Sequence, residues 1–174
     1  DFPGVNVYEP VNICIGENVQ ISALDGFSWE WSPAESLSNT SIQNHIASPS
    51  QSTTYFVLVS NLCGTGTDQL TVNVIEPTAS AGDDGVVCFG EGWPVWASGG
   101  AFYSWSPAVF VDDPNSPNPS LFPVDDQLFT VTVSDENGCS AQAEVFVEVL
   151  PLPDVEAGPN IAVNWLDEVS LSGS

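Results

Sequence analysis

One constant shift relates three separated stretches of this chain. Trp31-Ser32-Pro33-Ala34 returns as Trp105-Ser106-Pro107-Ala108, and Cys14-Ile15-Gly16-Glu17 returns as Cys88-Phe89-Gly90-Glu91. Tyr55-Phe56-Val57-Leu58-Val59-Ser60 returns as Phe129-Thr130-Val131-Thr132-Val133-Ser134, and each repeat lies 74 positions after its first copy. A period of that length, held over three motifs, means one folding unit written twice. The expected division is residues 1–77 for the first unit and 78–151 for the second, each closed by a Pro-containing junction: Glu76-Pro77-Thr78, then Leu150-Pro151-Leu152-Pro153. Residues 152–174 open a third copy. Ala157-Gly158-Pro159-Asn160 echoes Ala81-Gly82-Asp83-Asp84, and Val169 to Gly173 echoes Val95 to Gly99. That opening holds about two strands' worth of sequence, too little to bury an apolar face alone. The expectation is a piece of a longer array, or a tail packed on a neighbour.

Within each unit the hydrophobic period is two. Val19, Ile21 and Ala23 alternate with Gln20 and Ser22; Phe27, Trp29 and Trp31 alternate with Ser28 and Glu30. Tyr55, Val57 and Val59 share a face, as do Leu70, Val72 and Val74, and the second unit repeats both patterns in Phe129, Val131, Val133 and in Val145, Val147, Val149. Alternation of this kind marks half-buried strands. Turn dipeptides (Asp25-Gly26, Gly99-Gly100, Asn137-Gly138) punctuate them, and no segment has a helical period. Short strands at regular spacing in about 74 residues predict an all-β fold of tandem seven-strand-type β-sandwich domains arranged head to tail, on an immunoglobulin-like plan. On that frame Val19–Leu24 is strand B and Phe27–Trp31 strand C. Thr54–Ser60 is strand F and Gln69–Val74 strand G. Trp29 and Trp31 belong to the core.

The charge excludes several classes of function. The chain has 23 acidic residues, no Lys or Arg, and a formal charge of −23. No ion pair with Lys or Arg can form, so the carboxylates must be offset by backbone N–H groups, water, His45 or bound cations. Nucleic-acid binding relies on Lys and Arg at the phosphates, so nucleic acid is not expected as a partner. No basic patch offers itself to an anionic membrane, and no apolar run is long enough for direct membrane insertion. With 43% hydrophobic residues the chain is nonetheless able to build a packed core.

The combination of Cys-x-Gly-Glu, Trp-Ser-Pro-Ala, Thr53-Thr54-Tyr55 before a Val-rich strand, and Asn137-Gly138-Cys139-Ser140 resembles the PKD-like, Ig-like repeats of gliding-motility and type IX-secreted bacterial surface adhesins. The resemblance covers both full units and the start of the third. It implies an extracellular, cell-surface repeat array, often the stalk of a very large adhesin, whose partners are neighbouring repeats or other subunits of a surface filament. Two departures stand out: the first unit has Asn61-Leu62-Cys63 in place of Asn-Gly-Cys, and the third has no Cys in its opening stretch.

Four cysteines, Cys14, Cys63, Cys88 and Cys139, in an apparently exported chain point to disulfides, with three connectivities. One bridge per unit, Cys14–Cys63 and Cys88–Cys139, is the plain pairing. Sandwich geometry argues against it. Strands B and F run the same way, and Cys14 precedes B while Cys63 follows F, so the two fall at opposite ends, roughly 20 Å apart. A disulfide needs Cα atoms about 4.4–6.8 Å apart. The alternative is a staple from Cys14 to Cys139 across the junction, with Cys63 and Cys88 bonded to units outside these residues. Free thiols or metal ligands are the third reading.

Candidate chemistry is sparse. Asp83-Asp84 at the junction, Asp112-Asp113, Asp125-Asp126 and Asp135-Glu136 are acidic pairs that could offer calcium its six to eight oxygens, although no Asp-x-Asp-x-Asp-Gly loop is present. Solvated loop charge is the plainer reading of these pairs. Trp96, aligned with Ser22, is expected to be partly exposed, able to stack on a sugar ring or bury into a partner, or simply to pack beneath a loop. His45 stands alone, which argues against zinc or triad chemistry. No carboxylate constellation points to a glycosidase, and Asn39-Thr40-Ser41 is a sequon only where a host glycosylates it. The expectation is a non-enzymatic structural spacer or stalk segment of a secreted surface adhesin or filament. The alternative is a carbohydrate- or protein-binding accessory module of a secreted hydrolase.

Overall fold

The computed structural model describes residues 10–24 and 26–155. The expected third copy therefore lies almost wholly outside the described residues, which reach only Val155.

Among the described residues the first unit has six strands: β1 (Val11–Cys14), β2 (Val19–Ser22), β3 (Ser28–Ser32), β4 (Asn44–Ala47), β5 (Thr53–Asn61) and β6 (Gly64–Ile75). One sheet runs β1-β6-β5-β3, and the facing sheet is β2-β4. β1 lies parallel to β6, with Val11 opposite Val72 and Cys14 opposite Ile75. The second unit has β7 (Ser80–Ala81), β8 (Gly85–Cys88), β9 (Trp93–Pro94), β10 (Ala97–Ser98), β11 (Phe102–Ser106), β12 (Ser120–Leu121), β13 (Gln127–Ser134) and β14 (Ser140–Leu150). Its larger sheet is β11-β13-β14-β8, again with a parallel pair at one edge, and β9-β12 and β7-β10 make the opposite layer. These are tandem immunoglobulin-like β-sandwiches.

Each sandwich closes its own interior. Ile13, Ile21, Trp31, Tyr55, Val57, Val59, Leu70 and Val72 belong to one buried cluster. Val87, Val95, Trp105, Leu121, Phe129, Val131, Val133, Val145 and Val147 belong to the other. Trp31 and Trp105 are the large inward anchors of the two, while Trp29 packs on the first core partly buried.

β6 is much longer than the Gln69–Val74 expected from periodicity. Gly64-Thr65-Gly66-Thr67 has no apolar alternation, yet it continues the ladder against Asn61, Ser60, Val59 and Leu58. Backbone hydrogen bonding across a tight hairpin, rather than side-chain burial, extends the strand here.

The two interiors solve packing differently at matched positions. The first unit places Val11 and Val19 against its core. The second has Gly85 and Trp93 there, and a Cβ on Gly85 would collide with the Trp93 ring. Small and large residues have been exchanged across facing strands at similar total volume.

Candidate functional site

The parallel edge strand fixes where each cysteine sits. Cys14 ends β1 opposite Ile75, the last residue of β6. Cys63 lies in the turn that precedes Gly64, the first residue of β6. β6 has 12 residues, so these two cysteines occupy opposite poles of the sandwich, roughly 35–40 Å apart at about 3.3 Å per residue. Cys88 and Cys139 are separated in the same way, at the two ends of β14. The pairing Cys14–Cys63 and Cys88–Cys139 is therefore corrected: the long G strand holds the partners beyond the reach of any disulfide.

The structure joins Cys14 to Cys139, with a Cα–Cα distance of 5.3 Å and 125 positions between them in sequence. Cys63 and Cys88 are free and exposed. The chain enters the second unit at the pole of the β13–β14 turn, and each unit's long strand ends at the pole where its parallel edge strand ends. The bond thus links the trailing pole of the first unit to the leading pole of the second.

Both cysteines are held by local hydrogen bonds that the sequence supplies. At Cys14, the Glu17 carboxylate accepts from the Cys14 N–H at 3.0 Å, and the Glu17 N–H donates to the Cys14 carbonyl at 3.0 Å. At Cys139, Asp135 organises the turn, its carboxylate accepting from the N–H of Asn137 at 2.9 Å and of Cys139 at 2.8 Å. Gly138 has a φ of 89° there, a left-handed conformation that favours glycine. The Asn137 side-chain amide also donates to Asp135, and this bond leads the causes that hold the Asp135 carboxyl below its ordinary value. The network crosses the junction. Asn73 donates to Asn12 at 3.0 Å, and Asn12 donates to Asn137 at 3.1 Å. One disulfide and one amide–amide hydrogen bond, two residues apart on β1, thus grip the same turn.

The acidic pairs do other work. Asp84 accepts from the N–H of Phe146 at 2.7 Å, and Asp126 from the N–H of Val149 at 2.8 Å, completing β14 where neighbouring strands stop. Asp112 accepts from the N–H groups of Asp113 and Ser120, and Asp113 from Asn115. Asp83, Asp125 and Glu136 are not brought together with them. Among the described residues no three His, Cys, Asp or Glu side chains gather as a metal site. The calcium expectation at Asp83, Asp84, Asp112, Asp113, Asp135 and Glu136 therefore finds no common centre. With no Lys or Arg available, carboxylates serve instead as acceptors for the backbone.

Trp96 is 48% exposed and lies over Gly82, where a Cβ would meet its ring at 3.5 Å. His45 is fully enclosed, edge-on to Trp31 with ring centroids 4.6 Å apart. Among the described residues neither of its ring nitrogens has a hydrogen-bond partner. Burial keeps its pKa below 6.5, outweighing the opposing pull of the Ile42 backbone. Sequence reasoning found the residue but not its burial, because one His on an alternating strand carries no signal of which face it takes. Asn12 and Asn137 were also missed, since two isolated amides far apart in sequence announce nothing.

No family model matches the chain, and no curated protein matches it. Similar solved structures are multi-domain immunoglobulin proteins. The insect immune protein hemolin is 16% identical over 85% of this chain and 47% of its own, with a TM-score of 0.45. Extracellular domains 3–5 of Drosophila OTK are 10% identical over 84% of this chain and 62% of theirs, with a TM-score of 0.49. The first two immunoglobulin domains of DIP-gamma are 11% identical over 86% of this chain and 98% of theirs, with a TM-score of 0.46. The chain spans about half the length of the hemolin structure. Among the described residues no helix is long and apolar enough to cross a membrane.

Proposed function

We propose that this chain is a stiffened spacer, a segment of a secreted cell-surface array in which units 1–77 and 78–151 are successive links and 152–174 begins another. The observation that carries the reading is the junction. A spacer transmits position only if its joints resist bending, and here a disulfide and a hydrogen bond between the Asn12 and Asn137 amides hold one turn against one strand end. A disulfide also fits the oxidising world outside the cell. The resemblance to repeats of gliding-motility and type IX-secreted adhesins supports a bacterial surface stalk, with neighbouring repeats or filament subunits as partners and no enzymatic activity of its own.

Small-angle scattering of the oxidised chain tests this. An extended particle of fixed maximum dimension is expected, with the distance distribution broadening when a thiol reductant opens the junction. Scattering typical of two freely jointed beads in the oxidised protein would sink the reading. The binding-module alternative rests on half-exposed Trp96. Glycan-array binding lost on Trp96→Ala would favour it.

A further inference from the structure

We infer that Cys63 and Cys88 are complementary halves of a second staple of the same kind, which joins the trailing pole of a unit like the second to the leading pole of a unit like the first. The inference rests on the spacer reading and deepens it by naming the partner. Cys88 stands on β8 where Cys14 stands on β1: each is the last residue of its strand, opposite the last residue of the long partner strand. The same glutamate follows, and the N–H of Glu91 donates to the Cys88 carbonyl at 3.0 Å as Glu17 does to Cys14. Cys63 sits in the leading-pole turn, one ladder position earlier than Cys139. Asn61 there accepts from the N–H groups of Cys63 and Gly64 at 2.8 and 3.1 Å, as Asp135 does from Asn137 and Cys139.

A second observation concerns the residues around the two thiols. At the closed junction the bridging pair is Asn12 with Asn137. At the open poles both members change character together. Val86, exposed, takes the strand position of Asn12, and Leu62, 92% exposed, takes the turn position near that of Asn137. Leu62, Phe27 (76% exposed) and Cys63 line an open hollow of about 440 Å³ with Gly26 and Asn61. Phe89 and Leu150 are exposed around Cys88. An amide pair at one interface and an aliphatic pair at the other is what two matched interfaces require. Val86 would meet Leu62 wherever Cys88 meets Cys63, and apolar surface on both poles would leave water together. Cys139 shows the outcome, since it is only 1% exposed at the junction that is closed.

The bond forms by exchange. The thiolate of Cys88 attacks a small disulfide such as oxidised glutathione and expels one glutathione thiolate. The thiolate of Cys63 on the facing unit then attacks the mixed disulfide and expels the other. Two protein thiols lose two protons and two electrons, and one disulfide is reduced to two thiols. Because the contact is heterologous, it extends the array head to tail rather than pairing units symmetrically.

The test mixes two full-length variants, Cys63→Ser and Cys88→Ser, in a glutathione redox buffer, with the Cys14–Cys139 peptide confirming that each is folded. The expected result is a disulfide-linked dimer in the mixture at roughly tenfold or greater excess over either variant alone, with peptide mapping to Cys63–Cys88. Leu62→Asn is expected to lower that yield several-fold while leaving both thiols in place. Equal dimer from the single variants, or no dimer in the mixture, overturns the inference. An oxidised chain that still scatters as a fixed extended particle in that event leaves the spacer reading standing, so the two failures are distinguishable.

Discussion

The two leading-pole turns carry the same cysteine in opposite states. In the second unit a five-residue turn, 135–139, is anchored by Asp135, and its cysteine is buried and bonded to the unit before it. In the first unit the shorter turn anchored by Asn61 leaves Leu62 and Cys63 in solvent. The sandwiches beneath them share topology and a parallel edge strand. The turns differ in length and in anchor, and among the described residues a unit's trailing pole sits on only the second. Cysteine chemistry in this fold is thus a property of the joint, and each sandwich is held by its own interior.

If so, breaking the joint should have the largest effect. Cys139→Ser is expected to lower stability by about 2–4 kcal/mol, the ordinary contribution of a long-loop disulfide, and to broaden the scattering distribution. Cys63→Ser should change neither in the monomer. Calorimetry of the two variants side by side provides the check, and equal melting temperatures would contradict the distinction between the poles.

The interiors offer a sharper comparison. Gly85→Val installs in the second unit the residue that the first has at Val11, and it should cost about 1–3 kcal/mol because the Trp93 ring occupies the space. Adding Trp93→Val, to match Val19, should recover most of the loss. Denaturant midpoints that show no coupling between the two changes would mean that the positions do not exchange volume.

Acid should separate the units next. His45 of the first unit corresponds to Pro119 of the second, both buried. With its folded pKa held below 6.5, His45 takes up a proton in the unfolded chain first as pH falls. Its contribution is therefore complete above about pH 6.5 and is lost as pH drops from there toward the folded value. The slope is at most about 1.4 kcal/mol per pH unit, for one proton. Hydrogen exchange between pH 7 and 5 should show protection falling in residues of the first core and not the second, and His45→Leu should flatten the difference.

The smallest effect concerns one hydroxyl. Tyr55 and Phe129 are matched and fully buried, and only Tyr55 has a partner, the Ser36 hydroxyl at 2.6 Å. Tyr55→Phe should cost about 1 kcal/mol by urea denaturation.

Much of the fold could be read from the chain. The 74-residue period exposed the duplication, and the alternation in Tyr55 to Val59 and Val145 to Val149 placed the F and G strands because one face of each is buried. The extension of β6 through Gly64 to Thr67 was hidden, since backbone pairing that buries no large apolar side chain leaves no mark in hydropathy. The disulfide stayed open among three readings because connectivity depends on which pole a residue occupies. That in turn depends on the full length of β6 and β14 and on β1 and β8 running parallel to them. The exchange of Val11 and Val19 for Gly85 and Trp93 was equally silent, as were Asn12 and Asn137: each is a relation between distant positions, with no periodic signature.

The bond between Cys14 and Cys139 also decides how the chain responds to being pulled from its two ends. Tension follows the shortest covalent path, and that path runs along β1, through the sulfurs, and out along β14. Residues 15–138 hang on a closed loop beside it. Stretching under oxidising conditions therefore cannot lengthen the chain by drawing out those residues. After reduction they become extensible, adding up to about 3.5 Å of contour for each residue released.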